Sequence, residues 1–381
     1  MKAGDNMKLI QINLKDKKML KRFVQIPYKI YRENPNWVPP IEKSLIKTIT
    51  HGNSMQLRGG PYTLFMVEED GSYIARLLVG INQNKNKQKN QNEGYFSLFE
   101  CVNNRNAAKI LLDGATNWLK EYGIDMVTGP VSPTNGDDFR GVLIDGFDEF
   151  PAVNTTYTME YYKDLFQELN YEKYLDFYAF SMNFDEVDAT SDRIKKLVEY
   201  GKKKVNLSIM PLNKKRLDND VKGVYDVFIE AQQSFWDHLE VPTYEKFYDE
   251  FLSMKFLLDS DLIYIASVNN ITVGFIAGIP DYNQVLYHFK GKLNIFSILK
   301  FFYYKTKITR ARMFMQFVIP KYQKSVVTPG LYLALYEGFQ KKGYKDMEAS
   351  TIAEFNIDSL QTIKGVGFDV SRIYRIYKKV L

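Results

Sequence analysis

The chain has 381 residues, 51 Lys and Arg against 45 Asp and Glu, and a single cysteine, Cys101. One cysteine excludes an intramolecular disulfide. With no apolar leader at the start and no run of about 18 apolar residues, the expectation is a cytoplasmic protein without a spanning helix. At this length two domains are expected, and an aromatic content of 15% supplies bulk for two cores.

In chain order, residues 1–6 read as a frayed leader and 7–14 as a first strand. Residues 15–33 read as a helix, because Leu20, Phe23, Val24, Tyr28 and Tyr31 recur at steps of three and four. The proline-rich stretch 34–40 breaks it. Residues 62–69 and 72–82 form a hairpin about Asp70-Gly71. The polar tract 82–92 has nothing to bury and is expected to be a mobile loop without chemistry. Then come a strand at 93–102, a helix at 105–122 ended by Gly123, and strands at 125–131 and 141–148. A helix at 161–169 and a strand at 175–184 finish this half.

A new unit is expected from about residue 185, dividing the chain into domains 1–187 and 188–381. Its elements are a basic helix (191–204), a strand (205–211), helices at 218–231 and 244–258, and a hairpin (261–268 and 271–280). An aromatic helix at 293–306 follows. Its core, 295–304 (IFSILKFFYY), is apolar on most sides and flanked by lysines. That pattern fits a helix packed on a sheet, an acceptor or acyl pocket, or a surface that touches lipid.

The most informative stretch is 313–369. Residues 313–320 (MFMQFVIP) read as a buried strand and 321–327 as a short basic connection. Thr328 then serves as N-cap and Pro329 as the first residue of a helix that Gly343 ends. A strand, a basic turn and a helix start gather unpaired N–H groups at a positive helix end, which suits a phosphate or pyrophosphate. The charge supports this. Residues 282–336 contain no Asp or Glu but nine basic residues: Lys290, Lys292, Lys300, Lys305, Lys307, Arg310, Arg312, Lys321 and Lys324. The remainder carries 42 basic against 45 acidic residues, so the positive field is local to this region.

The halves echo each other. Gly123, Asp125-Met126, Asn135 and Gly146-Phe147-Asp148 recur as Gly343, Asp346-Met347, Asn356 and Gly367-Phe368-Asp369. Asparagine and phenylalanine stand 12 residues apart in both.

The order from about residue 263 to the end resembles the cofactor-binding half of the GNAT acyltransferase superfamily. Across the chain, Pro27-Tyr28 with Tyr31, Pro35-Asn36-Trp37-Val38-Pro39-Pro40, Gly129-Pro130-Val131-Ser132-Pro133 and Asp145-Gly146-Phe147-Asp148 are similar to a bacterial family of tandem GNAT-like proteins. So are Pro280-Asp281-Tyr282-Asn283, Pro320-Lys321-Tyr322-Gln323 and Arg375-Ile376-Tyr377-Lys378. The resemblance implies an α/β (α+β) fold of two tandem domains, each a mixed, mostly antiparallel sheet flanked by helices. It also implies acetyl-CoA or a longer acyl-CoA as co-substrate, no metal, and a small-molecule or peptide amine as acceptor.

On that resemblance the donor lies along Phe317, Val318 and Ile319. Its phosphates meet the main chain of Lys324, Ser325, Val326, Val327, Thr328 and Gly330, with charge from Lys321 and Lys324, while Asn356 faces its arm. Glu354 is the candidate base. The family's general-acid tyrosine falls seven residues after the asparagine, where this chain has Ile363, so Tyr322, Tyr374 or Tyr377 is the substitute. The family's loop pattern has a glycine and then a glycine or alanine, whereas here Gln323 is followed by Lys324-Ser325-Val326-Val327-Thr328 with no glycine before Gly330. Two other readings stay open: a ligand-binding protein of the same fold without turnover, and a Fem-type transferase using aminoacyl-tRNA. His51, His238 and His288 are scattered and form no metal cluster.

Overall fold

The computed structural model describes residues 6–51, 54–134, 136–186, 188–232, 241–254 and 258–381. Residues 1–5 of the expected leader, Asn135, His238 and the His51 side chain lie outside what is described.

Two compact units are present. The first comprises residues 1–178, 282–306 and 372–381, and the second 179–281 and 307–371. The repeated halves and the compact units are thus different divisions, because two segments of the second half belong to the first unit.

The first unit begins with β1 (Met7–Gln11), α1 (Lys17–Ile30), α2 (Glu42–His51), α3 (Met55–Arg58), β2 (Tyr62–Glu69) and β3 (Ser72–Gly80). It continues through α4 (Gln83–Lys89), β4 (Glu93–Cys101), α5 (Arg105–Glu121), β5 (Met126–Gly129), β6 (Val142–Asp145), α6 (Tyr162–Glu168) and β7 (Glu172–Asn183). The second unit holds α7 (Asp188–Val205), β8 (Leu207–Pro211), α8 (Leu217–Gln232), α9 (Tyr244–Met254), β9 (Ile263–Val268) and β10 (Ile271–Pro280). After α10 (Asn283–Leu286) and α11 (Ile295–Lys305), both in the first unit, the second unit resumes with β11 (Arg310–Val318), α12 (Val327–Lys341), β12 (Asp346–Ala353) and α13 (Ile357–Gly365), and the last strand, β13 (Asp369–Val380), belongs to the first unit from Arg372 on.

In the first unit the strand order is β1-β2-β3-β4-β5-β13, with β6 also on β13. Successive residues of a strand face opposite sides of the sheet, and β2 shows the consequence. Phe65 and Val67 join the core under α5 and α6, while Leu64 and Met66 join the core under α1 and α2. In the second unit the order is β12-β11-β10-β9-β8, with α12 packed on β9 and β10 and α8 on β10 and β11. Each sheet is antiparallel except for one parallel pair, β4 with β5 and β11 with β12.

The repeat extends to backbone detail. Gly123 and Gly343 both close a helix at positive φ, 70° and 84°. In each case the next residue reaches back to a carbonyl five positions earlier, Ile124 to Leu119 and Tyr344 to Phe339. Gly146 and Gly367 also share a positive φ, 85° and 98°. Such backbone is open to glycine and costly for most other residues.

The tract 82–92 departs from expectation. It contains α4, capped by Asn82, whose side chain accepts from Lys85 N, and ended by Asn90 in the left-handed region. Lys85 is buried there and pairs with Glu93 at 3.0 Å. Asparagine is favoured at both kinds of helix end, so a tract with few apolar residues is fixed by its caps and one ion pair.

Candidate functional site

The site builds on the parallel strands of the second unit. β11 and β12 pair from Arg310 opposite Asp346 to Met313 opposite Ala349, while β11 runs on to Val318 and β12 to Ala353. Just past the paired part β11 carries an extra residue, since Ala277 and Gly278 of β10 stand opposite Met315 and Met313. The extra residue, Phe314, bends the strand. Met313 and Ala349 are buried, whereas 314–317 and 351–352 are half-buried. The first unit repeats this design. β4 pairs with β5 only from Glu93 to Tyr95, and its bulge includes Leu98 at φ 52°.

Phe317 stacks on Phe275 at 5.6 Å and meets Phe228 edge-on at 5.2 Å. Val318 and Ile319 are buried, and the Ile319 amide donates to Val273 O at 3.0 Å. A 3-10 turn, Pro320–Tyr322, follows. The Ser325 amide donates to Tyr322 O at 3.1 Å, and the Val327 amide donates to Ser325 Oγ at 3.2 Å. The amides of Lys324 and Val326 have no backbone acceptor among the described residues, and both precede the first helical turn. They are the groups with donors to spare for an anion.

The cap differs from the sequence expectation. The helix starts at Val327 with Val326 as N-cap and no side-chain cap bond. Thr328 lies one residue inside and its hydroxyl donates to Gln323 O at 3.1 Å, while Gln323 Nε2 donates to Val318 O at 3.1 Å. The threonine and glutamine therefore tie the turn to itself. One side of the turn is closed by packing. A Cβ on Gly201 of α7 would lie 2.7 Å from Val326 Cβ, and one on Gly330 would lie 2.7 Å from Ile209 Cδ1 of β8.

Lys321 is exposed, with its ammonium 5.4 Å from the Tyr322 ring centroid. Lys324 is also exposed and reaches Asp358 at 3.2 Å. Asn356 caps α13, accepting from Ser359 N at 3.2 Å, and Ile363 is fully buried. Glu354 is half-buried one residue past β12. Tyr322 is half-buried in the turn, whereas Tyr374 and Tyr377 belong to the first unit and are buried. His288, also in the first unit, stacks on Tyr304 at 3.6 Å. No group that could hold a metal occurs among the described residues.

A buried ionic cluster in the first unit has no counterpart among the sequence expectations. Glu100 of β4 accepts from Tyr162 Oη at 2.8 Å and lies 3.8 Å from Arg76 of β3. Arg76 is fully buried, donates to Phe23 O at 2.9 Å and lies over the Phe23 ring. Burial pushes the Glu100 carboxyl up, against the opposing pull of Arg76 and of hydrogen bonds from Tyr162 and Tyr31. The available signal was one charged residue inside each of two apolar strands. Beside it, the PY/NPNW motif folds into an aromatic cluster in which Tyr31 stacks on Trp37 at 4.9 Å and Tyr28 meets it edge-on at 5.1 Å.

No family model matches the chain. It is 26% identical to protein YghO of Escherichia coli K12 over 375 residues, covering 96% of this chain and 93% of that protein. It is 23% identical to a bacterial ceramide synthase of Caulobacter vibrioides over 386 residues, covering 99% and 98%. Among solved structures, a tandem GNAT protein from the clavulanic acid biosynthesis pathway superposes with a TM-score of 0.59 at 10% identity, covering 98% of each chain.

Proposed function

We propose that this chain, whose fold is that of tandem GNAT proteins, is an acyl-CoA-dependent N-acyltransferase with its donor site in the second unit. The observation that carries this is the parting of β11 from β12 ahead of a turn with two uncommitted amides, Lys324 and Val326. In this reading the acyl arm lies along Phe317, Val318 and Ile319. The diphosphate meets the turn from Lys324 to Gly330, with Lys321 and Lys324 adding charge. Asn356, at the start of α13, borders the arm.

The chemistry is attack of an amine on the thioester carbonyl. A main-chain N–H released by the bulge at Phe314 polarises that carbonyl. Glu354 takes the proton that makes the amine nucleophilic. The C–N bond forms, the C–S bond breaks, and the departing thiolate takes a proton from Tyr322, the candidate tyrosine that lies in the second unit. We further read the acceptor as a long-chain amine. The support is the Caulobacter relative named for ceramide synthesis, aligned end to end, since a ceramide is an amide of a long-chain amino alcohol.

A reading without turnover draws on Ile363, buried where a hydroxyl would be needed. The two readings separate in a thiol-release assay with acetyl-CoA and longer acyl-CoAs against short, peptide and long-chain amines. Amine-dependent thiol release that Glu354→Gln suppresses is expected. Release with no amine in the panel rejects the transferase reading, and acyl transfer only from an aminoacyl-tRNA would assign the Fem-type reaction instead.

A further inference from the structure

Helix α11 has the wrong side out for a helix in water. Its inner side is well anchored. Asn294 and Ser297 form a capping box, and Ser297 Oγ donates to Lys292 O at 2.8 Å. Phe301 stacks on Tyr282 at 6.1 Å, and Tyr304 stacks on His288. The outer side should then be polar. Instead Ile295, Phe296, Ile298, Leu299, Phe302 and Tyr303 are between 47% and 68% exposed. At about 100° per residue they cover an arc of roughly 160° on the side opposite Ser297, Phe301 and Tyr304. Lys300 and Lys305 fall at the two borders of that arc, and Leu293, 55% exposed, extends it beyond the helix start.

The segment that carries this face has charge of one sign. Residues 282–306, the whole segment that α11 brings to the first unit, contain Lys290, Lys292, Lys300 and Lys305 and no acid. The local field is felt by His288, whose pKa is lowered by burial and then by Lys290 and Lys300. A broad apolar face bordered by lysines matches the boundary of an anionic bilayer. Rings and aliphatic chains enter the acyl region and ammonium groups meet lipid phosphates. No helix among the described residues is long and apolar enough to cross a membrane.

We propose that α11 docks this protein on an anionic lipid surface, lying in the interface with Phe296, Leu299 and Phe302 inserted and Lys292, Lys300 and Lys305 at headgroup level. The docking does not depend on the acyl-transfer reading, and its test reads neither donor binding nor turnover.

The test is co-sedimentation of the full chain with vesicles of about three parts phosphatidylcholine to one part phosphatidylglycerol, and with phosphatidylcholine alone. Binding to the anionic vesicles is expected, weakened by salt. A Phe296→Asp/Phe302→Asp variant should bind about tenfold less or worse, and Lys292→Gln/Lys305→Gln about tenfold less, with unchanged thermal midpoints because all four side chains are exposed. Leu299→Gln, a milder single change, should show the same direction if the double variant misfolds. No binding to the anionic vesicles, or binding that these changes leave intact, overturns the proposal. A dimer in sedimentation velocity that Phe296→Asp/Phe302→Asp dissolves, without vesicle binding, overturns it in favour of a second copy of the chain.

Discussion

The Arg375 guanidinium holds the Asp176 carboxylate by two parallel hydrogen bonds, Nε to Oδ1 at 2.8 Å and Nη2 to Oδ2 at 2.9 Å. Lys173 adds a third cationic contact at 3.0 Å. The pair joins β7 to β13, so the last strand is fixed by side chains as well as by its ladders. Burial works against ionisation of Asp176, but the hydrogen bonds and charges of Arg375 and Lys173 outweigh it and hold the carboxyl below its ordinary range.

A pH-dependent stability follows. A depressed native pKa means the pair stabilises the fold above the unfolded carboxylate pKa, about 3.9, and that this contribution is lost as pH falls through the lower native value. Asp176→Asn should cost about 2 kcal/mol at pH 7, and its difference from wild type should narrow as pH falls below about 4. Urea midpoints across that range check it, and a difference independent of pH would contradict it.

The Arg76–Glu100 pair should show strong coupling. Glu100→Leu alone leaves a buried guanidinium without its carboxylate and should cost about 3–5 kcal/mol. Adding Arg76→Met should recover much of that loss, because two apolar groups replace two buried charges. A double-mutant cycle in urea reads this directly, and additive losses would show that the pair does not interact.

Close packing of α12 on β10 gives a third expectation. A Cβ on Gly278 would lie 2.3 Å from Phe339 Cζ and 2.7 Å from Leu335 Cδ1. Gly278→Ala should destabilise by about 1–3 kcal/mol, and the compensating Phe339→Leu should restore part of it. Thermal midpoints of the single and double variants decide.

The donor site can be probed through one atom. Val326 sits at φ −63°, the value proline imposes, so Val326→Pro removes an uncommitted N–H with φ unchanged. If that amide meets a phosphate, affinity for an acyl-CoA should fall about tenfold or more while the thermal midpoint without ligand stays near wild type. Unchanged affinity would place the phosphates elsewhere.

Periodicity exposed most of the architecture. Turn residues, Asp70-Gly71 and Asn269-Asn270, located the β2–β3 and β9–β10 hairpins, and the three- and four-residue recurrence located α1 and α5. The two halves were legible through glycines, because Gly123 and Gly343 occupy backbone that few other residues tolerate. Short capped helices escaped. α4 rests on two asparagines and the Lys85–Glu93 pair, which carry no periodic signal. The helix α12 starts two residues earlier than its sequence suggests, because Thr328 bonds back to Gln323 O instead of capping. The parting of β11 from β12 depends on a bulge at Phe314, which an apolar strand pattern does not reveal. Nor did two charged letters in separate apolar strands disclose the Arg76–Glu100 contact.

The most direct measurement is the thermal midpoint of the full chain titrated with acetyl-CoA, a long-chain acyl-CoA, free CoA and tRNA. The account predicts stabilisation by an acyl-CoA, about 3 °C or more at concentrations near a hundred times Kd, and none by tRNA. A midpoint that no CoA species moves would contradict it.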